Sequence, residues 1–170
     1  VNSDLEIAYA SFATSSANDL TREQIIDGML EGGVWPLLRQ RPYDIIANPI
    51  DMPKAIFIST FNSAPLSIDH DFALYGMDEL FQKGLDYIVK LTKGKTHLNI
   101  DGDTNGSEVF TSAKGVELNN ISGPHPSGNV GVQIHHIDPI NKGDVVWCLE
   151  PQDVLTIGKL FTEGRYDVSR

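Results

Sequence analysis

Ala55-Ile-Phe-Ile-Ser-Thr60 follows Pro53 and decides the fold. The run is short, apolar and rich in β-forming residues, which suits a strand buried on both faces. Downstream, Met77, Leu80, Phe81, Gly84, Leu85, Ile88 and Val89 recur at helical spacing. They predict an amphipathic helix of about four turns, broken at Gly94. Thr96-His-Leu-Asn-Ile100 returns as a second strand. Val116–Ile121 and Val145–Leu149 read as two more. Pro151 then stands where a helix begins, with Val154, Leu155, Gly158 and Phe161 on one side and Gly164 at its end. Strands that alternate with helices predict an α/β fold, a layered Rossmann-like sheet with flanking helices, parallel at least in part.

Upstream, Thr21-Arg-Glu-Gln24 is a capping-box pattern. Ile25, Ile26, Met29 and Leu30 continue it at helical spacing, and Gly32-Gly33 ends that helix. Val34–Leu38 restarts an apolar segment that Pro42 stops. Asp69–Tyr75 is ambiguous. Asn129–Ile137 reads two ways: Val130, Val132 and Ile134 alternate like a strand, whereas Val130, Ile134 and Ile137 share a helical face. The expected organisation is a linker or partial preceding domain over 1–19, one α/β domain over 20–165, and the start of a C-terminal part over 166–170. A chain that opens on Val1 reads as a piece of a longer protein.

The 170 residues carry a net charge of −10, and the longest basic cluster is Arg39-Gln40-Arg41. Phosphate backbones and anionic lipid faces need concentrated positive charge, so nucleic-acid binding is not expected. No apolar run approaches the ~18 residues of a membrane span. The first residues are acidic and lack the basic start of a secretory signal. One cysteine, Cys148, provides neither an internal disulfide nor an iron–sulfur ligand set. A reducing, cytoplasmic setting is expected.

Ser122-Gly-Pro-His-Pro-Ser-Gly128, with His135-His136 and Asp138, is the most unusual stretch. His125, His135, His136 and Asp138 are of metal-ligating type. Adjacent His135 and His136 diverge on either a strand or a helix, so no metal site is expected. The plainer reading has His125 bonded within its own loop. Trp35, Phe57, Phe61 and Trp147 are candidates for an apolar slot, with His125 or His135 as hydrogen-bond donor, although aromatics at such positions are more often plain core. Gly32-Gly33 is more simply a helix end than a phosphate loop. Gly102–Gly106 lacks the twelve-residue pattern of a calcium loop. Cys148 lies in an apolar run and is expected buried and inert. No nucleophile elbow is present. Asp44, Asp51, Asp69 and Asp71 are expected to be solvated.

Glu31-Gly-Gly-Val-Trp-Pro-Leu-Leu-Arg-Gln-Arg-Pro42, Ile121-Ser-Gly-Pro-His-Pro-Ser-Gly128 and Gln152-Asp-Val-Leu-Thr-Ile-Gly-Lys-Leu-Phe161 occur in that order. Together they resemble the NqrA family of bacterial sodium-pumping NADH:quinone oxidoreductases. The likeness runs from about Leu20 to Gly164 and fits that family's central α/β domain.

The resemblance implies a respiratory enzyme that passes electrons from NADH to ubiquinone and drives Na+ across the membrane. It implies a peripheral subunit on the cytoplasmic face of the bacterial inner membrane. Its partners would be the other subunits, chiefly the membrane ones. Within this fragment no catalytic residue is expected. The implied role is scaffold and docking, through exposed apolar residues of Trp35–Pro42 and Gly123–Gly131. Quinone is the candidate ligand, with His125, Pro126, His135, Trp35 and Trp147 as quinone-binding or interface residues.

The fold implied also resembles the flavin-binding domain of the complex I flavoprotein. Flavin- or nucleotide-binding is therefore the alternative. In that relative a Gly-rich loop cradles the flavin phosphate. Here Val34 and Trp35 stand in its place, which argues against FMN and nicotinamide. Glu150-Pro151 also departs from the Asn-Tyr that family members often carry before Gln-Asp-Val.

Overall fold

The computed structural model describes residues 16–104 and 106–166. Six strands form one sheet: β1 (Arg39–Arg41), β2 (Ile45–Ile46), β3 (Ala55–Ser59), β4 (Lys95–Asp101), β5 (Glu117–Ile121) and β6 (Val146–Leu149), in the order β2-β1-β6-β3-β4-β5. The helices are α1 (Arg22–Glu31), α2 (His70–Ala73), α3 (Asp78–Ile88), α4 (Glu108–Thr111), α5 (Val130–Ile137) and α6 (Pro151–Glu163).

β3 is central. It pairs in parallel with both β4 and β6, so that Phe57 lies opposite His97 on one side and Cys148 on the other. β5 extends the sheet in parallel beyond β4. The chain therefore steps outward from β3 through β4 to β5, then returns to the far side of β3 as β6. That reversal is a topological switch point.

The two sheet faces are covered unequally. Ile56, Ile58, Leu98, Trp147 and Leu149 join α1, α3 and α6 in the large core. Ala55, Phe57, Val146 and Cys148 form a smaller cluster with α5, through Ile134, with Val130, Ile137 and the following Ile140 at the margin. Asn129–Ile137 is thus a helix: the Asn129 side chain accepts from the Gly131 amide, and the helical face Val130–Ile134–Ile137 covers the sheet. The capping box of α1 forms as its residues dictate. Thr21 Oγ1 accepts from the Gln24 amide at 3.3 Å, and Gln24 Oε1 from the Thr21 amide at 2.8 Å.

The hairpin of β1 and β2 has no signal in the sequence. Arg39-Gln40-Arg41 carries no apolar alternation, yet it pairs antiparallel with β6. Trp147 Nε1 donates to Gln40 Oε1 across that pairing at 3.2 Å. At the start of the domain, Ala17–Asp19 is a short 3-10 turn, tied down by Lys90 Nζ donating to the Ala17 and Leu20 carbonyls. Those residues of the expected 1–19 linker therefore pack on the domain. Residues 1–15 and 167–170 lie outside the described residues.

α3 and α6 lie side by side with glycine between them. A Cβ at Gly158 would stand 2.7 Å from the Leu80 carbonyl oxygen, and one at Gly84 would fall inside the Val154 carbonyl. In an exposed helix, Gly→Ala gains up to ~1 kcal/mol from propensity. Here overpacking against backbone reverses the sign. Gly84→Ala is expected to lose about 2 kcal/mol of unfolding free energy, read from urea denaturation. A gain would show that the helices separate freely.

Candidate functional site

A crevice of about 200 Å³ opens at the carboxyl ends of β3 and β6, where open α/β sheets bind ligands. Arg39, Arg41, Ser59, Cys148, Glu150 and Asp153 are among its lining residues. Arg39 and Arg41 stand two apart on β1 and so project to one face. Both pair with Asp44, at 3.5 and 3.6 Å. Arg41 Nε is buried with no hydrogen-bond partner. Desolvation, and then the charge of Asp153, raises the Glu150 carboxyl above its ordinary range. Burial likewise raises the Cys148 thiol, against the pull of Arg41. A thiol raised in this way is a poor nucleophile.

The Ser122–Gly128 loop rests on a seat built by Ser63. Ser63 Oγ accepts from the Gly128 amide at 3.0 Å and lies 3.1 Å from His125 Nδ1. His125 therefore bonds a distant segment, not its own loop as the sequence suggested. A Cβ at Gly128 would collide with the Ser63 amide, so the loop lies directly against that segment. Ser127 Oγ closes the loop on the Gly123 carbonyl at 2.7 Å.

Beneath α5 runs a chain of polar contacts that no sequence motif announced. Gln133 Nε2 donates to the Ser127 carbonyl, and Gln133 Oε1 accepts from Asn99 Nδ2 at 2.8 Å. Asn99 Oδ1 accepts from Asn119 Nδ2, which also lies 3.2 Å from His97 Nδ1. The His97 ring stacks on Phe57 with centroids 4.5 Å apart, and its Nε2 is buried without a partner. The available signal was period two: His97 and Asn99 share the β4 face that meets Phe57. At the other end of α5, Lys54 Nζ pairs with Asp138 at 2.5 Å and with Asp144 at 3.4 Å. Its hydrogen bond to Asp138 raises the Lys54 amine.

The expected slot residues fall into separate regions: only Trp35 and Trp147 meet. Trp35 and Trp147 are buried in the helix-rich core, edge to face at 5.5 Å. His125, Pro126, His135 and His136 are exposed, and α5 lies on the opposite sheet face. The Trp35–Pro42 segment is a correction. Val34, Trp35 and Leu38 are buried, because Trp35 Nε1 donates to the Ala47 carbonyl and anchors the turn in the core. Phe57 is fully buried and Phe61 half-buried.

Four aspartates expected as plain surface each hold structure. Asp44 pairs Arg39 and Arg41, and Asp51 accepts from Gln40. Asp69 caps α2, and Asp71 accepts from the Ser107 amide. The Glu31–Pro36 turn does not fit a phosphate. Gly32 packs against Leu160, and Val34 and Trp35 fill the adjoining space. Asp138 is engaged by Lys54 and His125 by Ser63. Among the described residues, no group of three His, Cys, Asp or Glu can hold a metal ion.

A family model described as the NqrA second alpha/beta domain matches residues 20–166. The chain is 36% identical over 171 residues to the A subunit of the Na(+)-translocating NADH-quinone reductase of Yersinia pseudotuberculosis, covering 100% of this chain and 38% of that protein. The corresponding protein of Photorhabdus laumondii is 35% identical, over 96% of this chain and 36% of its own length. That of Alcanivorax borkumensis is 33% identical, over 97% and 36%. The chain thus spans between 36% and 38% of the length of these relatives. Among solved structures, a chain from the crystal structure of the NAD+-reducing NiFe hydrogenase in the air-oxidized state matches with a TM-score of 0.56. The match has 13% identity and covers 93% of this chain and 33% of that one. At that identity the likeness is one of fold alone.

The polar chain makes stability depend on pH. Burial pushes the His97 imidazole below its ordinary 6.5, with Asp138 opposing. His70, also buried, is lowered for the same reason. The unfolded chain therefore binds a proton near pH 6.5 that the folded chain refuses, and stability falls as pH drops through that value. The urea midpoint is expected to decline from about pH 7.5 to about pH 5, and His97→Gln should flatten the decline. An unchanged slope in His97→Gln would contradict this.

Proposed function

The chain belongs to the family of NqrA second alpha/beta domains, and from that membership we propose that it is a scaffold and docking domain in the A subunit of a Na(+)-translocating NADH-quinone reductase. The whole enzyme passes electrons from NADH to quinone and moves Na+ across the membrane. This domain supplies no reacting group to that chemistry. Its partners are the other subunits, chiefly those in the membrane. It is peripheral, on the cytoplasmic face. Among the described residues, no helix is long and apolar enough to cross a membrane.

The observation that carries this reading is where the family motifs go. In Glu31–Pro42, Trp35 bonds the Ala47 carbonyl and Gln40 accepts from Trp147. In Ile121–Gly128, Gly128 seats on Ser63. In Gln152–Phe161, Asp153 caps α6, Gly158 admits α3, and Phe161 stacks on Tyr87 at 4.2 Å. Residues of these three segments thus hold the domain's shape. The quinone contact expected at His125, Pro126, His135, Trp35 and Trp147 stays outside this proposal, since those residues occupy two separate regions. Kinship with the complex I flavin-binding fold belongs to it, supported by helix-covered parallel strands with a switch point.

Two measurements on the full-length polypeptide test the proposal. Thermal unfolding with FMN, NADH or a short-chain quinone is expected to show no shift. A ligand present at 100 times its Kd adds ~2.7 kcal/mol, which moves the midpoint of a cooperative unit of this domain's size by roughly 5–10 °C. The full-length polypeptide should also assemble with the membrane subunits, and a version lacking residues 20–166 should not. Stoichiometric flavin, or assembly without the domain, would overturn the reading.

A further inference from the structure

Between β3 and α3 the chain throws out an apolar ridge. Phe72 and Tyr75 are each 83% exposed, Ile68 is 54% exposed, and Leu66 at the tip is fully exposed. Residues this apolar and this open mark an interaction site when they are contiguous. They crowd one short connection: Phe72 stands on α2, and Ile68 and Tyr75 lie just beyond its two caps, Asp69 and Leu74.

The ridge is held firmly. Asp69 Oδ1 accepts from the Phe72 amide at 3.1 Å, and Asp71 Oδ1 from the Ser107 amide at 3.0 Å. His70 and Leu74 point inward and are buried. Asn62 organises the base, accepting from the Ala64 amide and from Ser67 Oγ. Leu66 is held at a φ of 61°, a strained conformation for a branched side chain. A surface ordered before binding loses little entropy on binding.

The ridge has an acidic flank. A cleft of about 510 Å³ beside it is lined by Asp71, Asp78 and Glu108. A second, of about 240 Å³, is lined by Asp69, Asp71 and Asp101. Among the described residues, the other titratable group lining that cleft is His70, whose pKa burial lowers against the pull of Asp69 and Asp71. The two clefts adjoin through Asp71 and Thr104, so the ridge presents an apolar crest beside one continuous negative margin.

We propose that the Leu66–Tyr75 ridge docks on a loop surface of a membrane-embedded subunit of the same enzyme, apolar where it meets the crest and carrying Lys and Arg where it meets the acidic clefts. This rests on the scaffold and docking reading above. Charge complementarity selects the occupant. Cytoplasmic loops of membrane proteins carry an excess of Lys and Arg. Anionic lipid headgroups would be repelled by the same margin. A second copy would set two acidic rims against each other across a two-fold axis.

The test uses the full-length polypeptide and the remaining subunits purified together in detergent. Phe72→Ser combined with Tyr75→Ser should weaken association at least about tenfold, as loss of aromatic anchors does. Tyr43→Ser combined with Ile50→Ser, two exposed apolar residues in the turns before and after β2, should leave it unchanged. Asp78→Asn combined with Glu108→Gln should slow association and reduce its salt dependence. Melting temperature should stay at the wild-type value in every variant. A fall in the Phe72/Tyr75 variant would place the ridge under another part of the same polypeptide and overturn the inference. So would a change in oligomeric state, or binding to phosphatidylglycerol vesicles that the variant loses. Undiminished association of the variant would overturn it and leave the docking reading intact. Failure of the wild type to associate would overturn both.

Discussion

Ala55, Ile56, Phe57 and Ile58 have no solvent exposure, so β3 must be covered on both faces, and the two covers are made differently. On one face α3 and α6 press together over Ile56, Ile58, Leu98 and Trp147, with glycines where their backbones meet. Burial of that apolar surface is the main force holding the domain. On the other face a helix of eight residues covers Phe57, Val146 and Cys148. So short a helix is marginal alone. The Gln133–Asn99–Asn119 chain and the Lys54–Asp138 pair fasten its two ends to the sheet.

That asymmetry sets the site. Because α5 crosses on the opposite face from α3 and α6, the chain reverses direction at β3, and the crevice opens between β3 and β6. Its walls are largely charged: Arg39 and Arg41 face Glu150 and Asp153, with Asp44 between the two arginines. The Ser122–Gly128 loop that looked like a chemical centre is instead a fitted piece, keyed to Ser63 by Gly128. The functional surface lies on the β3–α3 connection, where apolar side chains are left outside on a frame too well bonded to be a slack loop.

Much of the architecture was legible because the apolar periodicities are strong. Ala55–Thr60, Met77–Val89, Val145–Leu149 and the Pro151–Gly164 helix fall where their side chains require. The Thr21–Gln24 capping box forms as its chemistry dictates. Arg39–Arg41 was illegible because its strand character comes from pairing with β6, a long-range contact that local composition does not encode. Asn129–Ile137 was ambiguous at period two and resolved only through the apolar surface of the sheet beneath it. The polar chain was hidden for a similar reason. Asn99, Asn119 and Gln133 lie on three separate elements, and only the parallel register aligns them. Trp35 misled because an aromatic in a Gly-Pro-rich turn reads as exposed, whereas its indole is fixed to Ala47 inside the core.

The most direct measurement is a cryo-electron microscopy map of the assembled enzyme that contains this chain. The account predicts that the domain lies outside the bilayer and touches a membrane-embedded partner through Phe72 and Tyr75. It also predicts that the Arg39–Arg41 crevice holds no flavin. A map with flavin between β3 and β6, or with the ridge facing solvent and the docking contact elsewhere, would contradict it.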